Sequence, residues 1–264
     1  MTGAREVDAL HLALAGAYLA LVGFTSLILR LGMAGRLATA AGRMVVQLLA
    51  VGYVLGVVFA WRHAGMIALL ALVMVLAAAR AAIARSERRV PGLYAGAFLV
   101  LLLVGTVTTV GATAGVVQVD PWWTPQYLIP ILGMVLGNAL TGISLSVDTI
   151  LATLDAKRDR IEARLALGAS RWEAGEEAVR DAVRRGLIPI LNAMTVAGIV
   201  SLPGMMTGQI LEGADPEAAV RYQIMIFFLI AGATALGCLL LTLFAFWRCV
   251  NERHQLRAER IRRP

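Results

Sequence analysis

Charge is scarce in this chain, and cysteine, histidine and lysine are scarcer still. Only 16% of the 264 residues are charged, against roughly 25% in a soluble domain. That shortage, with 59% hydrophobic residues and a mean hydropathy of +0.77, excludes an ordinary soluble fold. The two cysteines, Cys238 and Cys249, fall in one apolar segment. On a helix rising ~1.5 Å per residue they stand roughly 16 Å apart, too far for a disulfide. They are read as free. The three histidines, His11, His63 and His254, are scattered at segment ends and share no metal-binding pattern. Lys157 is the single lysine, and no G-x-x-x-x-G-K-[ST] occurs, which excludes ATP binding through a P-loop. No acid–base pair or nucleophile–base constellation stands out, so no catalytic site and no cofactor are expected in this chain. The arginine-rich, alanine-rich composition reflects a GC-rich genome and carries no functional weight. A net charge of +7 suggests nucleic acid by number alone. The basic residues lie at the ends of apolar segments, however, and no nucleic-acid partner is expected.

What is abundant is long apolar runs separated by short basic clusters, the pattern of a polytopic helical membrane protein. Seven segments are expected, at about Ala9 to Leu29, Met44 to Ala60, Ala64 to Ala79, Leu93 to Val117, Tyr127 to Val147, Leu187 to Leu211 and Tyr222 to Trp247. The expected fold class is therefore all-α, a transmembrane bundle of about seven helices. A short basic connection is expected from Arg30 to Arg43. The sixth segment is interrupted by Pro189 and by Pro203-Gly204, and a basic, polar tail follows Arg248. With the amino terminus outside and the carboxy terminus cytoplasmic, 21 of the 24 Lys and Arg fall inside, as the positive-inside rule requires. Trp61, Trp122, Trp123, Tyr127 and Tyr222 then lie at the outer interface and Trp247 near the inner one, as an aromatic belt.

One polar stretch, Asp155 to Gly186, breaks the apolar pattern. The fifth segment is expected to run on into it as helix. Ile161, Leu165, Ala169 and Trp172 can share one helical stripe. Gly168 suits a left-handed C-terminus. Ser170 stands three residues before Glu173, a capping box. A second helix follows, with Glu176/Arg180, Glu177/Arg180 and Asp181/Arg185 at helical spacing. The stretch thus reads helix, Gly-Ala-Ser turn, helix. Gly-x-x-x-Gly pairs at Gly52/Gly56, Gly92/Gly96, Gly111/Gly115, Gly133/Gly137 and Gly204/Gly208 point to close helix packing.

The elbow E-A-R-L-A-L-G-A-S-R-W-E-A, Glu162 to Ala174, resembles the cytoplasmic coupling loop of ABC-transporter permeases. Glu162, Ala163 and Gly168 fit the opening spacing of the importer loop, and Arg164 replaces its second alanine. Together with I-P-I-L-G-M-V-L-G-N-A-L-T-G-I-S-L-S (Ile129 to Ser146) and S-L-P-G-M-M-T-G-Q-I-L-E-G (Ser201 to Gly213), it resembles the FetB-type iron-export permeases and the related plant aluminium-tolerance permeases. The resemblance covers nearly the whole chain. It implies one transmembrane permease domain over residues 1–264 with coupling helices at 155–186, in the bacterial inner membrane. It implies a half-transporter, working as a homodimer among membrane lipids with a separate ABC ATPase subunit that holds ATP and Mg. The coupling residues are then Glu162, Arg164, Gly168, Ser170, Arg171, Trp172 and Glu173, with Trp172 as the anchor.

Candidate path residues follow from polarity at membrane depth. Asn138, Thr141, Leu145 and Asp148 share one face of the fifth segment, with Ser144 near its edge. Interhelical hydrogen bonding is the competing reading for Thr141 and Ser144, and pairing with an arginine for Asp148. In the sixth segment Pro203 and Gly204 bend the chain, and Met205, Met206 and Gln209 follow. Methionine thioethers suit a soft ion such as Cu(I), while core packing is the plainer role. Ferrous iron prefers nitrogen or oxygen, which favours Gln209 and Asn138. The alternative from another class is a membrane scaffold whose elbow only recruits a soluble partner.

Overall fold

Apolar runs that leave water must satisfy their backbone internally, and a helix does so within one segment. The computed structural model describes residues 8–251 and 255–261, and among them nine α-helices and no strand. Arg5, Arg253, His254, Arg262 and Arg263, counted above, lie outside the described residues. In chain order the helices are α1 (Ala9–Ile28), α2 (Ala34–Trp61), α3 (Ala64–Ala84), α4 (Leu93–Val110), α5 (Pro125–Ala156), α6 (Arg158–Ala166), α7 (Arg171–Val196), α8 (Gly204–Leu211) and α9 (Pro216–Cys249). A π-helical turn, Gly111–Val116, extends α4. Among the described residues, six spans are long and apolar enough to cross a membrane: α1, α2, α3, α4 with its π turn, α5 and α9.

The expected sixth segment is not one helix. Pro189 does not interrupt it but sits inside α7, held where Gly186 and Ile190 are buried against the neighbours. The break comes later. Ala197 turns extended, Gly198 takes φ +83°, and the Gly198 N–H donates to the Ser201 carbonyl at 2.9 Å. Pro203 is the N-cap of α8, not a kink within a helix. The basic connection expected from Arg30 to Arg43 also shrinks, because α2 begins at Ala34 and carries Arg36 and Arg43.

α5 is the central helix. It packs against α3, α4, α7 and α9, and Ile143, Val147 and Ile150 are fully buried. At its crossing with α7 the two backbones come close. A Cβ on Gly142 would lie 2.7 Å from the Gly186 carbonyl oxygen, and one on Gly186 2.8 Å from that of Gly142. Cys238 of α9 fills the remaining corner, and both cysteines are free and buried. Of the Gly-x-x-x-Gly pairs, Gly92/Gly96 meets Arg248 and Phe244 of α9. Gly52, Gly56, Gly111, Gly115, Gly204 and Gly208 face open space.

The tail is not a free polar flank. Val250 pairs with Leu256, the Arg257 N–H donates to the Cys249 carbonyl at 2.7 Å, and Leu256 is buried in the core.

Candidate functional site

The elbow forms because two local signals agree. α6 ends in a Schellman turn: the Gly168 N–H donates to the Leu165 carbonyl at 3.1 Å and the Ala169 N–H to that of Arg164 at 3.0 Å. This closure needs a left-handed residue, which Gly168 supplies at φ +94°. α7 then opens with the expected capping box. The Ser170 N–H donates to the Glu173 carboxylate at 2.7 Å and the Glu173 N–H to the Ser170 hydroxyl at 3.3 Å. Those bonds from Ser170, side chain first, hold the Glu173 carboxyl below its ordinary value.

The two arms are braced by charge. Glu177 of α7 faces Lys157 at 3.6 Å, Arg160 at 3.3 Å and Arg164 at 3.9 Å. Glu177 therefore does not pair with Arg180, which binds Glu176 instead. Asp181 lies 3.9 Å from Arg184, not paired with Arg185. Glu162 is engaged by Arg158 at 2.8 Å, and that hydrogen bond raises the Arg158 pKa. Each half-exposed pair contributes about 0–1 kcal/mol, but one carboxylate among three cations fixes the angle between α6 and α7.

Ile161 is buried within the elbow. Trp172 is 38% exposed and packs edge-to-face on Phe246 of α9, centroids 6.4 Å apart. Arg171 lies over Trp247 at 5.0 Å. The apex carries a residue that the sequence reading missed. Leu167, the C-cap of α6, is 88% exposed. The signal for it was its place directly before Gly168 and off the Ile161/Leu165 stripe.

The path candidates divide. Asn138 is exposed and Thr141 half-buried on one face of α5, and among the described residues each side chain bonds to its own helix, Asn138 Nδ2 to Met134 O at 2.9 Å and Thr141 Oγ1 to Gly137 O at 3.0 Å. Ser144 is buried and its hydroxyl donates to the Ala82 carbonyl of α3 at 2.9 Å and to Leu140 at 2.6 Å. Asp148 accepts from Ser86 Oγ at 3.3 Å and the Glu87 N–H at 3.2 Å rather than pairing with an arginine. Arg88 reaches Asp155 instead, at 3.3 Å. Pro203 and Gly204 open α8. Met206 is buried, Met205 packs on a cluster that includes Ile190, Ile226 and Ile230, and Gln209 is half-buried. Nearby on α9, the buried Tyr222 hydroxyl and Gln223 Oε1 have no hydrogen-bond partner among the described residues. They too were missed, since one polar pair at the start of an apolar run reads as an interface. Among the described residues no three His, Cys, Asp or Glu gather as a metal site.

The sequence profile described as "Uncharacterised protein family (UPF0014)" matches residues 9–250. The chain belongs to the UPF0014 family. A UPF0014 membrane protein of Synechocystis sp. is 36% identical over 245 residues, 93% of each chain. The Escherichia coli (strain K12) protein named "Probable iron export permease protein FetB" is 32% identical over 215 residues, 81% of this chain and 82% of that one. The Arabidopsis thaliana protein ALUMINUM SENSITIVE 3 is 31% identical over 226 residues, 86% of this chain and 81% of that one. No solved structure matches. Like these UPF0014 relatives this is a membrane protein, and its apolar helices make it multi-pass.

Proposed function

We propose that this chain is the permease subunit of an ABC-type transporter, exporting a metal ion such as iron or another small solute. The observation that carries the reading is the elbow: the short α6 and the first turns of α7 clamped by Glu177, with Leu167 88% exposed at the apex. A leucine held out at the tip of a braced, charged hairpin is placed to enter a groove on a partner. The partner is a separate ATPase subunit, which binds ATP and Mg. Glu162, Arg164, Arg171 and Glu173 form the polar rim, and Trp172, seated on Phe246, transmits displacement of the elbow to α9.

α7 runs back from the elbow alongside α9, and α8 packs on α9 beyond the break. These two half-helices supply a seventh crossing, with the amino terminus outside and the elbow in the cytoplasm. Support comes from the arginines of the described loops, which gather at the elbow end. The face of α5 that carries Asn138 and Thr141 meets the second copy of a homodimer, where the cargo passes. The match to a protein named an iron export permease supports the cargo class.

The test is co-purification with an ABC ATPase subunit from the same organism, followed by ATP hydrolysis in lipid vesicles with a panel of metal ions. The wild type is expected to bind the ATPase and to raise its turnover with one stimulating ion. Leu167→Asp is expected to weaken association by roughly tenfold or more, as for a central interface residue. Wild-type association and coupling in Leu167→Asp and Trp172→Ala together would refute the docking role. Firm binding without coupling would leave a recruiting scaffold.

A further inference from the structure

After α9 the chain doubles back as a strap. The Asn251 N–H donates to the Gln255 carbonyl at 3.1 Å, the Gln255 N–H donates to Asn251 Oδ1 at 2.8 Å, and Ile261 packs on the core. The strap, the end of α9 and the start of α7 enclose a cleft of about 720 Å³. Its walls carry Arg171, Arg248, Arg257 and Arg260, with Trp247 and Asn251. Among the described residues, no acid lines it. Glu259, the acid described on the strap, turns into the adjoining cleft beside Glu162.

None of the four guanidinium groups has a carboxylate within ion-pair distance among the described residues. Arg171 and Arg248 rest on the rings of Trp247 and Phe244, at 5.0 and 5.5 Å, and Arg260 donates to the Arg248 carbonyl at 3.4 Å. Four like charges around one cavity repel one another, and the repulsion is strongest where the surrounding protein lowers the dielectric. An anion relieves it. Guanidinium forks match phosphate oxygens two at a time, a geometry that lysine does not reproduce.

We propose that this cleft binds a phosphate-bearing anion and that the bound anion ties the carboxy-terminal strap to the first turn of α7. Two sources share that chemistry: the headgroup of an anionic lipid and a soluble phosphate compound. The cleft opens at the end of a membrane-spanning helix beside an interfacial tryptophan, which places it at headgroup depth. Occupancy fixes Arg171, and with it the root of the elbow. That last consequence rests on the coupling reading, whereas anion binding does not.

The experiment uses the purified full chain without any ATPase, so its failure and that of the coupling reading are distinguishable. Native mass spectrometry after exchange into phosphatidylcholine with and without phosphatidylglycerol reads lipid retention. Thermal shift in inorganic phosphate and pyrophosphate reads soluble anions. Selective retention of phosphatidylglycerol is expected, weakened by roughly tenfold or more in the double variant Arg257→Gln/Arg260→Gln. Arg171→Gln, on the opposite wall, is expected to weaken it as well, while Arg221→Gln at the far end of α9 leaves it unchanged. A phosphate or pyrophosphate shift lost in the same variants, without lipid selectivity, assigns the site to a soluble anion. Lipid retention and phosphate shifts equal to wild type in both the double variant and Arg171→Gln would overturn the proposal.

Discussion

α1, α2 and α5 are equally apolar, yet they meet opposite surroundings. Their best stretches have mean hydropathies of 1.7, 2.1 and 1.8, but 6% of the first two is buried within the chain against 56% of the third. The α1–α2 hairpin touches the rest of the bundle only lightly, whereas α5 is enclosed by four helices. Hydropathy therefore reports that a segment can leave water and says nothing about what replaces the water. Small residues do not decide the matter either. Gly16, Gly23, Gly52 and Gly56 of the hairpin have no neighbour within 4 Å, while Gly142 of α5 touches the backbone of α7. The difference lies in the partner: a glycine matters where a second helix fills the space its Cβ would take, as the Gly186 carbonyl does at Gly142 and the Phe246 ring at Gly175.

The same one-carbon change tests this contrast at both places. Gly142→Ala pushes a methyl against the Gly186 carbonyl and Cys238, neither of which is a flexible chain end. It is expected to destabilise by about 3 kcal/mol, the upper part of the usual range for overpacking, and to appear as a large loss of detergent-stable protein on thermal unfolding with size-exclusion readout. A smaller effect is expected from Ser144→Ala. It removes the α5-to-α3 hydrogen bond to Ala82, and a drop of about 1 kcal/mol in the same assay is expected. The smallest belongs to Gly52→Ala, which adds its methyl to open space and removes backbone freedom from the unfolded chain. It is expected to leave the melting temperature unchanged or raise it slightly, by up to about 1 kcal/mol of stability. Equal losses in Gly142→Ala and Gly52→Ala would break the comparison and mean that the hairpin is packed as tightly as the core.

Local chemistry was the legible part of this molecule. The run of α5 into the polar stretch, the left-handed Gly168, and the Ser170/Glu173 box were all readable, because each depends on residues a few positions apart. Pairings across the fold were not. The Gly-x-x-x-Gly rule picks glycines one turn apart on one helix, and it passed over Gly142 and Gly186, which meet only after α5 and α7 have folded against each other. Glu177 was matched to Arg180 by spacing, yet the hairpin turn brings Lys157, Arg160 and Arg164 closer. The strap was hidden by its charge. Val250, Leu256 and Ile261 are too few among arginines to signal a buried segment, and the Arg257 bond to Cys249 and the Asn251–Gln255 bonds that turn them inward form only in the fold. Ser144 shows the same division, since its hydroxyl gave it away as polar at membrane depth but not that Ala82 was waiting on α3.

α5 is one unbroken helix of 32 residues, about 48 Å at 1.5 Å per residue, and longer than the ~30 Å hydrocarbon layer it crosses. Gly142, close to its midpoint, is where the backbone of α7 comes nearest. The buried residues of α5 run from Pro125 to Leu154, so neighbouring helices hold it along its whole length rather than at one point. Ala156, beside the elbow, and Pro125, at the far end, therefore belong to one continuous element, with Asn138 and Thr141 near its middle.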